Sequence, residues 1–286
     1  MDPYRNPTEM TKYFVESGIA KNKQSLIRLI LLGILGGAFI AFASQGSNAA
    51  IHTMTSVGLG KALAGALFTT GLMMVVLSGA ELFTGNMLMI VPCLSGKFRY
   101  TRLFRNWSLV YAGNFIGSIM IVFFIFLSGQ FDFSGGMLGA FTIKVAVYKI
   151  HLSFVSAFFM GILCNWLVCM AVWMAAAAKD AVGKMLAIFF PIWLFITSGF
   201  EHSVANMYYI PAGILAKSNP LYVQQAASLG VTADSLKQLN WITFITSNLV
   251  PVTLGNMVGG ILFVGTIFWI AFMFHEKAAF HSNTPD

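Results

Sequence analysis

Residues 77–87 read Leu77-Ser78-Gly79-Ala80-Glu81-Leu82-Phe83-Thr84-Gly85-Asn86-Met87, and residues 197–207 read Thr197-Ser198-Gly199-Phe200-Glu201-His202-Ser203-Val204-Ala205-Asn206-Met207. Five of the eleven positions are identical: Ser78/Ser198, Gly79/Gly199, Glu81/Glu201, Asn86/Asn206 and Met87/Met207. Chance supplies about one match or fewer at ordinary residue frequencies. Each copy sets a lone glutamate and a glycine inside a long apolar stretch. A polar interruption repeated in corresponding spans of two halves is the sequence mark of a transport site.

The surroundings of the two copies fix the class. The chain has 286 residues, 57% hydrophobic and 9% charged, with a mean hydropathy of +0.77. Soluble domains carry about 25% charged residues. This chain lacks the polar surface to cover itself in water, which excludes a soluble domain and implies an all-α polytopic protein of the lipid bilayer. The net charge of +7 does not point to nucleic acid, because the basic residues form no stripe and sit between apolar segments, as topology signals do. Cys93, Cys164 and Cys169 lie in or beside apolar runs without a CxxC pair. They read as small buried hydrophobes and imply no disulfide framework. No ligand spacing for a metal or cofactor is present.

Apolar segments fall at about 26–45, 60–94, 104–128, 150–178, 183–210 and 244–274, and a span needs about 20 apolar residues. The second and fifth are too long for one plain span, and each holds a copy of the repeated motif. Each is expected to be two half-helices joined by a non-helical turn. Six spans leave both termini on one side, and most of the 17 Lys and Arg fall there, which predicts that both are cytoplasmic. Gly33-Ile34-Leu35 recurs as Gly161-Ile162-Leu163, and Gly113-Asn114 with Gly117 recurs as Gly255-Asn256 with Gly259. Three spans per copy invert the second copy, so the expectation is a 3+3 inverted repeat with broken helices 2 and 5 meeting near the midplane. Repeat one covers about 26–128 and repeat two about 150–274, within one channel domain at 26–275. An N-terminal segment, 1–25, and a tail, 276–286, flank it. Asn6, Pro7 and Glu9 predict a capped helix over 6–20, lying at the membrane interface as an anchor or a gate. Ala41-Phe42-Ala43 has the look of a signal-peptide cleavage site, but its run is long enough to span and the repeat requires it.

Glu81 and Glu201 are costly in lipid and should face protein or water. With both copies retained, the favoured role is structural: each carboxylate accepts hydrogen bonds from amides freed at its helix break, near Asn86 and Asn206. A proton or cation site is the alternative. His202 stands where the first copy has Leu82, so a titratable group breaks the symmetry inside the suspected pathway. Thr84 offers a hydroxyl to an anion or to His202, and half-helices starting near Gly85 and Ala205 would aim positive dipole ends at the same region. Lys149 sits at a mouth, as an anchor or an attractor of anions. Asn165 lies sixteen residues further on, about 24 Å along a helix, where a neutral hydrogen-bonding group reaches the centre. Phe68 and Leu72 share a helix face, Leu82 and Phe83 sit in the first break, and Phe195 and Val168 are candidates to oppose them.

Glu81-Leu82-Phe83-Thr84-Gly85-Asn86, Asn165-Trp166-Leu167-Val168-Cys169 and Gly199-Phe200-Glu201-His202-Ser203-Val204-Ala205-Asn206-Met207 resemble signature segments of the formate/nitrite transporter family, and within it the bacterial hydrosulfide-channel branch. The resemblance covers essentially the whole chain. It implies an aquaporin-like fold in a homopentamer of the bacterial inner membrane, with one pore per protomer. By matching motif, His202 becomes the central pore histidine and Thr84 its partner, with Lys149 and Asn165 as polar pathway residues. Phe68, Leu72 and Phe195 would form an outer apolar constriction, and Leu82, Phe83 and Val168 an inner one.

The expected function is therefore a channel for small monovalent anions of weak acids, hydrosulfide first and then formate or nitrite. A proton-coupled secondary transporter using Glu81 and Glu201 is the rival. An intramembrane metalloenzyme would need spacing such as HExxH, which is missing, and a water or glycerol channel would need Asn-Pro-Ala motifs, which are also missing.

Overall fold

In a computed structural model describing residues 4–274, the chain is built of helices; the expected tail at 276–286 lies outside the described residues. Helix α1 (Pro7–Asn22) opens with the capping box read from the sequence. Asn6 Oδ1 accepts from Glu9 N–H, and Glu9 Oε2 accepts from Asn6 N–H, both at 2.9 Å. Then come α2 (Leu26–Ile51), α3 (Val57–Ser78), a 3-10 turn (Gly85–Met89), α4 (Ile90–Leu94), α5 (Tyr100–Leu127), α6 (Met137–Ile150), α7 (Phe154–Ala177), α8 (Ala181–Ser198), α9 (Ser203–Ala216), α10 (Pro220–Ser228), α11 (Ala233–Gln238) and α12 (Trp241–Phe274). Six of these are long and apolar enough to cross a membrane: α2, α3, α5, α7, α8 and α12.

Helix α2 packs against α5, and α7 packs against α12, at backbone contact. A Cβ added to Gly117 of α5 would run into the carbonyl oxygen of Ile34, and one added to Gly259 of α12 would run into that of Ile162. With little hydrophobic drive between helices in lipid, small residues that admit close approach supply the association energy. These contacts bring the polar residues of α5 and α12 within reach of the two motif segments.

The connection at 129–149, between the third and fourth apolar segments, folds into a 3-10 turn (Gln130–Asp132) and α6, packed along α9. Fourteen residues are too few to span, so the segment escaped a search for spans. Three side-chain bonds tie its start down: Gln45 Nε2 donates to Gln130 Oε1 (2.7 Å), Tyr222 Oη donates to Asp132 Oδ1 (2.5 Å), and His52 Nε2 pairs with Ser134 Oγ (2.8 Å).

Helix α1 does more than lie on an interface. Its Phe14 ring stacks on Trp173 of α7 at 4.7 Å between centroids. The preceding Arg5 caps the end of α7, donating from Nη1 to Ala176 O (2.7 Å) and from its backbone N–H to Ala177 O (2.8 Å). Docked this way, α1 covers one end of the helical bundle.

Candidate pore

The chain leaves helical geometry at the two motif copies. Helix α3 stops at Ser78 and Gly79 turns left-handed (φ +76°); α8 stops at Ser198 and Gly199 does the same (φ +75°). A Cβ is disfavoured in that conformation, which is why the motif carries glycine there. The helical path resumes at Gly85 after the first break and at Ser203 after the second.

Both breaks are wired alike. Phe83 N–H donates to Asn114 Oδ1 (2.9 Å), while Asn114 Nδ2 donates to Glu81 O (2.9 Å) and Gly33 O (2.7 Å). At the second break, Ser203 N–H donates to Asn256 Oδ1 (2.9 Å), and Asn256 Nδ2 donates to Glu201 O (3.0 Å) and Gly161 O (2.8 Å). Glu81 N–H reaches Leu32 O (3.1 Å), and Glu201 N–H reaches Met160 O (3.3 Å). Freed backbone groups inside a membrane need such partners.

The expectation that the two carboxylates accept these amides is thus overturned. A carboxylate only accepts, whereas an Asn amide satisfies an N–H and a C=O together. The carboxylates instead meet cations. Glu81 takes Lys21 Nζ (2.6 Å), Asn86 Nδ2 (2.7 Å) and Gln24 Nε2 (3.3 Å). Glu201 takes Lys149 Nζ (2.7 Å), Asn206 Nδ2 (2.7 Å) and Asn248 Nδ2 (3.2 Å). Asn86 and Asn206 are themselves fixed by Asn106 (2.9 Å) and Asn248 (2.7 Å). Neither buried glutamate is bare, and the Lys149 ammonium, read as a mouth cation, is committed to Glu201.

His202 joins the breaks. Its Nδ1 accepts from Ala205 N–H (3.0 Å), capping α9. A backbone N–H can only donate, so the neutral ring carries its proton on Nε2, and Nε2 lies 2.9 Å from Thr84 Oγ1. Thr84 accepts that proton's hydrogen bond and keeps its own hydroxyl hydrogen to offer elsewhere. Asn165 donates from Nδ2 to Asn256 O (2.6 Å) and Thr84 O (3.2 Å), and its buried Oδ1 has no partner among the described residues. Thr84, His202 and Asn165 thus converge on one buried region, fed from both breaks.

Phe68 and Phe195 meet edge to face at 5.7 Å, and Phe195 lies 6.0 Å from the His202 ring. Leu72 was grouped with this pair. It stands one turn further along α3 and borders, with Leu82, a cavity of about 320 Å³ between α1 and the first break, so it lies on the α1 side of the pair. Val168 is buried on α7 between Asn165 and Val172, which borders the same cavity. Phe83 sets its ring against Tyr111 at 4.7 Å and borders a more open apolar groove of about 530 Å³ between α5 and α12.

Four residues of this wiring were not picked out in the sequence, Lys21, Gln24, Asn106 and Asn248, and Asn114 and Asn256 were read only as part of the glycine repeat. The signal was present. Lys21 precedes Lys149 by 128 positions, the spacing of Gly33 and Gly161. Asn106/Asn248 and Asn114/Asn256 are both 142 apart, as Gly113 and Gly255 are.

The family model described as formate/nitrite transporter matches residues 8–270. The chain is 35% identical to the formate channel FocA of Escherichia coli K12 over 272 residues, 93% of this chain and 94% of that one. It is 39% identical to FocA of Haemophilus influenzae over 268 residues, 91% and 92% of the two chains. Among solved structures, a pentameric formate channel with formate bound matches with a TM-score of 0.77 at 35% identity, covering 88% of this chain and 99% of that one. Six apolar spans, two motif segments joined through a histidine, and similarity along nearly the whole length lead to one assignment: this chain belongs to the formate/nitrite transporter family.

Proposed function

We propose that the protein is a passive channel for small monovalent anions of weak acids across the bacterial cytoplasmic membrane, formate foremost, with nitrite and hydrosulfide in the same class. The observation that carries the reading is the 2.9 Å contact between His202 Nε2 and Thr84 Oγ1, a polar joint beside the Phe68–Phe195 pair. The names of the similar channels favour formate over hydrosulfide as the first substrate.

A bare anion crossing apolar rings meets a large desolvation cost, and the neutral acid does not. The His202–Thr84 pair offers a hydrogen-bond donor to an anion. The buried Asn165 Oδ1 adds an acceptor, which suits the O–H of a protonated acid. Phe68 and Phe195 act as one apolar barrier, and Leu72, Leu82 and Val168, on the α1 side of that pair, as the other. Glu81, Glu201, Asn86 and Asn206 hold the breaks in shape, each glutamate neutralised by its lysine. That neutralisation speaks against the rival, a proton-coupled transporter with a carboxylate ion site, and the protein is read as a channel and not an enzyme.

The matched spacings of 120, 128 and 142 residues support a 3+3 inverted repeat with broken helices 2 and 5 and an aquaporin-like arrangement. The distribution of Lys and Arg supports cytoplasmic termini, and the pentameric relative supports a homopentamer with a pore in each protomer.

Light-scattering measurement on proteoliposomes tests the proposal. Formate, nitrite and hydrosulfide should pass rapidly, with chloride and glycerol excluded. Uphill accumulation that requires a proton gradient and is abolished by Glu81→Gln would replace the channel with the coupled transporter.

A further inference from the structure

We propose that the apolar groove between α5 and α12 seats an acyl chain of an anionic phospholipid, whose headgroup phosphate is held by Arg102 and Arg105. The groove lies outside the permeation pathway, so the inference does not depend on the channel reading.

Both helices are long and apolar enough to span, and the groove between them holds about 530 Å³, within the range of small-molecule sites, about 300–1,000 Å³. Phe104, Val250 and Leu254 border it and are exposed. Inside a bilayer such a surface is covered by hydrocarbon. Along α5 the lining runs from Phe104 to Ala112. Eight residues are about 12 Å of helix, close to the hydrocarbon depth of one leaflet, about 15 Å.

The α5 end of the groove opens beside the most one-sided charge in the protein. Lys97, Arg99, Arg102 and Arg105 fall within nine residues, and no Asp or Glu lies between Glu81 and Asp132. Elsewhere at this end acids accompany the bases: Glu9 and Glu16 in α1, and Asp180 between Lys179 and Lys184. Arg105 precedes Ser108 by three residues and Ala112 by seven, and both border the groove, so Arg105 heads the same helix face. Arg102 is its neighbour one turn earlier. Neither guanidinium has a hydrogen-bond or ion-pair partner among the described residues. Basic clusters at the end of a span bind anionic headgroups, and a guanidinium donates in pairs to phosphate oxygens. A zwitterionic lipid carries its own cation, which Lys97 and Arg99 repel.

The walls of the groove belong to the first break. Phe83 sets its ring against Tyr111 there, and Tyr111 Oη shares a hydrogen bond of 2.9 Å with Thr253 Oγ1 across the two helices. Trp107, a second wall, donates from Nε1 to Asn86 O (2.9 Å), and Asn86 holds Glu81. Ser203, the counterpart of Phe83 in the second copy, does not border the groove. An acyl chain seated here therefore braces the first break from the lipid side.

Native mass spectrometry of the full-length protein, delipidated in detergent and titrated with phosphatidylglycerol or phosphatidylcholine, tests this. The wild type should retain one phosphatidylglycerol per protomer and hold phosphatidylcholine about tenfold more weakly. Arg102→Gln/Arg105→Gln should lose that preference, whereas Lys23→Gln, which removes an exposed charge at the same end, should keep it. Ala112→Phe fills the groove without touching the charges and should weaken retention of both lipids. In thermal unfolding, phosphatidylglycerol at a hundredfold excess over its dissociation constant should raise the wild-type Tm by about 5 °C, and that of the double arginine variant far less. Equal retention of the two lipids by the wild type, or a double arginine variant that behaves like the wild type, would overturn the anionic headgroup. Undiminished retention by Ala112→Phe would overturn the groove. Dissociation of an assembly into single protomers by Ala112→Phe would assign the groove to a second copy of the protein instead of a lipid. None of these readouts uses formate flux, so the channel reading and this inference fail separately.

Discussion

His202 holds two jobs that a substitution can separate. Its Nδ1 caps α9 and its Nε2 meets Thr84. Alanine would remove both, and loss of an N-cap alone costs about 1 kcal/mol. Asparagine keeps a cap oxygen for Ala205 N–H and removes the exchangeable proton. We expect His202→Asn to fold with a Tm close to the wild type while formate flux falls; unchanged flux would exclude a role for the imidazole. Thr84→Val leaves the Nε2–H without an acceptor, a cost of about 1–3 kcal/mol, and should lower both Tm and flux. The two lysine–glutamate pairs also differ measurably. Lys149 is 12% exposed and Lys21 is 28% exposed, against carboxylates that are both 2% exposed. Water screens the Lys21 pair more, so Lys149→Met should destabilise by about 3 kcal/mol and Lys21→Met by about 1 kcal/mol. Thermal unfolding in detergent checks the order; equal shifts would show that exposure does not set the value of these pairs.

The elements are held by backbone contact as much as by side chains. Gly117 has Ile34 O where a Cβ would sit, and carbonyl backbone cannot step aside. Gly117→Val should force α5 away from α2 and pull Asn114 off the first break. Overpacking costs about 1–3 kcal/mol, and the displaced Asn114 adds to that. The readout is a lower yield of folded protein and a lower Tm. Gly46 lies on the same α2 with nothing near its would-be Cβ, so Gly46→Ala should leave assembly intact. A wild-type-like Gly117→Val would show that the helices have slack the structure does not display.

Across the whole molecule, α1 is the piece that covers one end of the helical bundle. It supplies Lys21 to Glu81, Phe14 to Trp173 and a wall to the 320 Å³ cavity. Removing residues 1–22 should have two separable effects: lower stability, because Glu81 is left buried without its cation, and a wider α1-side mouth. Reintroducing neutrality with Glu81→Gln in the truncated chain should recover part of the stability. If α1 is a gate, flux through the rescued truncation rises severalfold over the wild type; an unchanged rate would make α1 an anchor alone.

Much of this protein is written locally. Composition and run length settle the membrane class, because lipid forces every span to be apolar and helical. The repeated motif marks both breaks, because glycine with φ near +76° and a glutamate in an apolar run are local costs visible in single residues. His202 and Thr84 are legible as candidates for the same reason. Their contact is not: it joins residues 118 apart, and only tertiary packing, α3 directly against α8 included, brings the breaks together. The partners of the carboxylates were decided there too. Asn114 and Asn256 take the freed backbone because they hold both a donor and an acceptor, which leaves each glutamate to a lysine from a distant helix. Which lysine neutralises which glutamate was likewise a result of folding, since charge in a sequence is fixed but its neutralisation depends on what the tertiary structure places within hydrogen-bond reach.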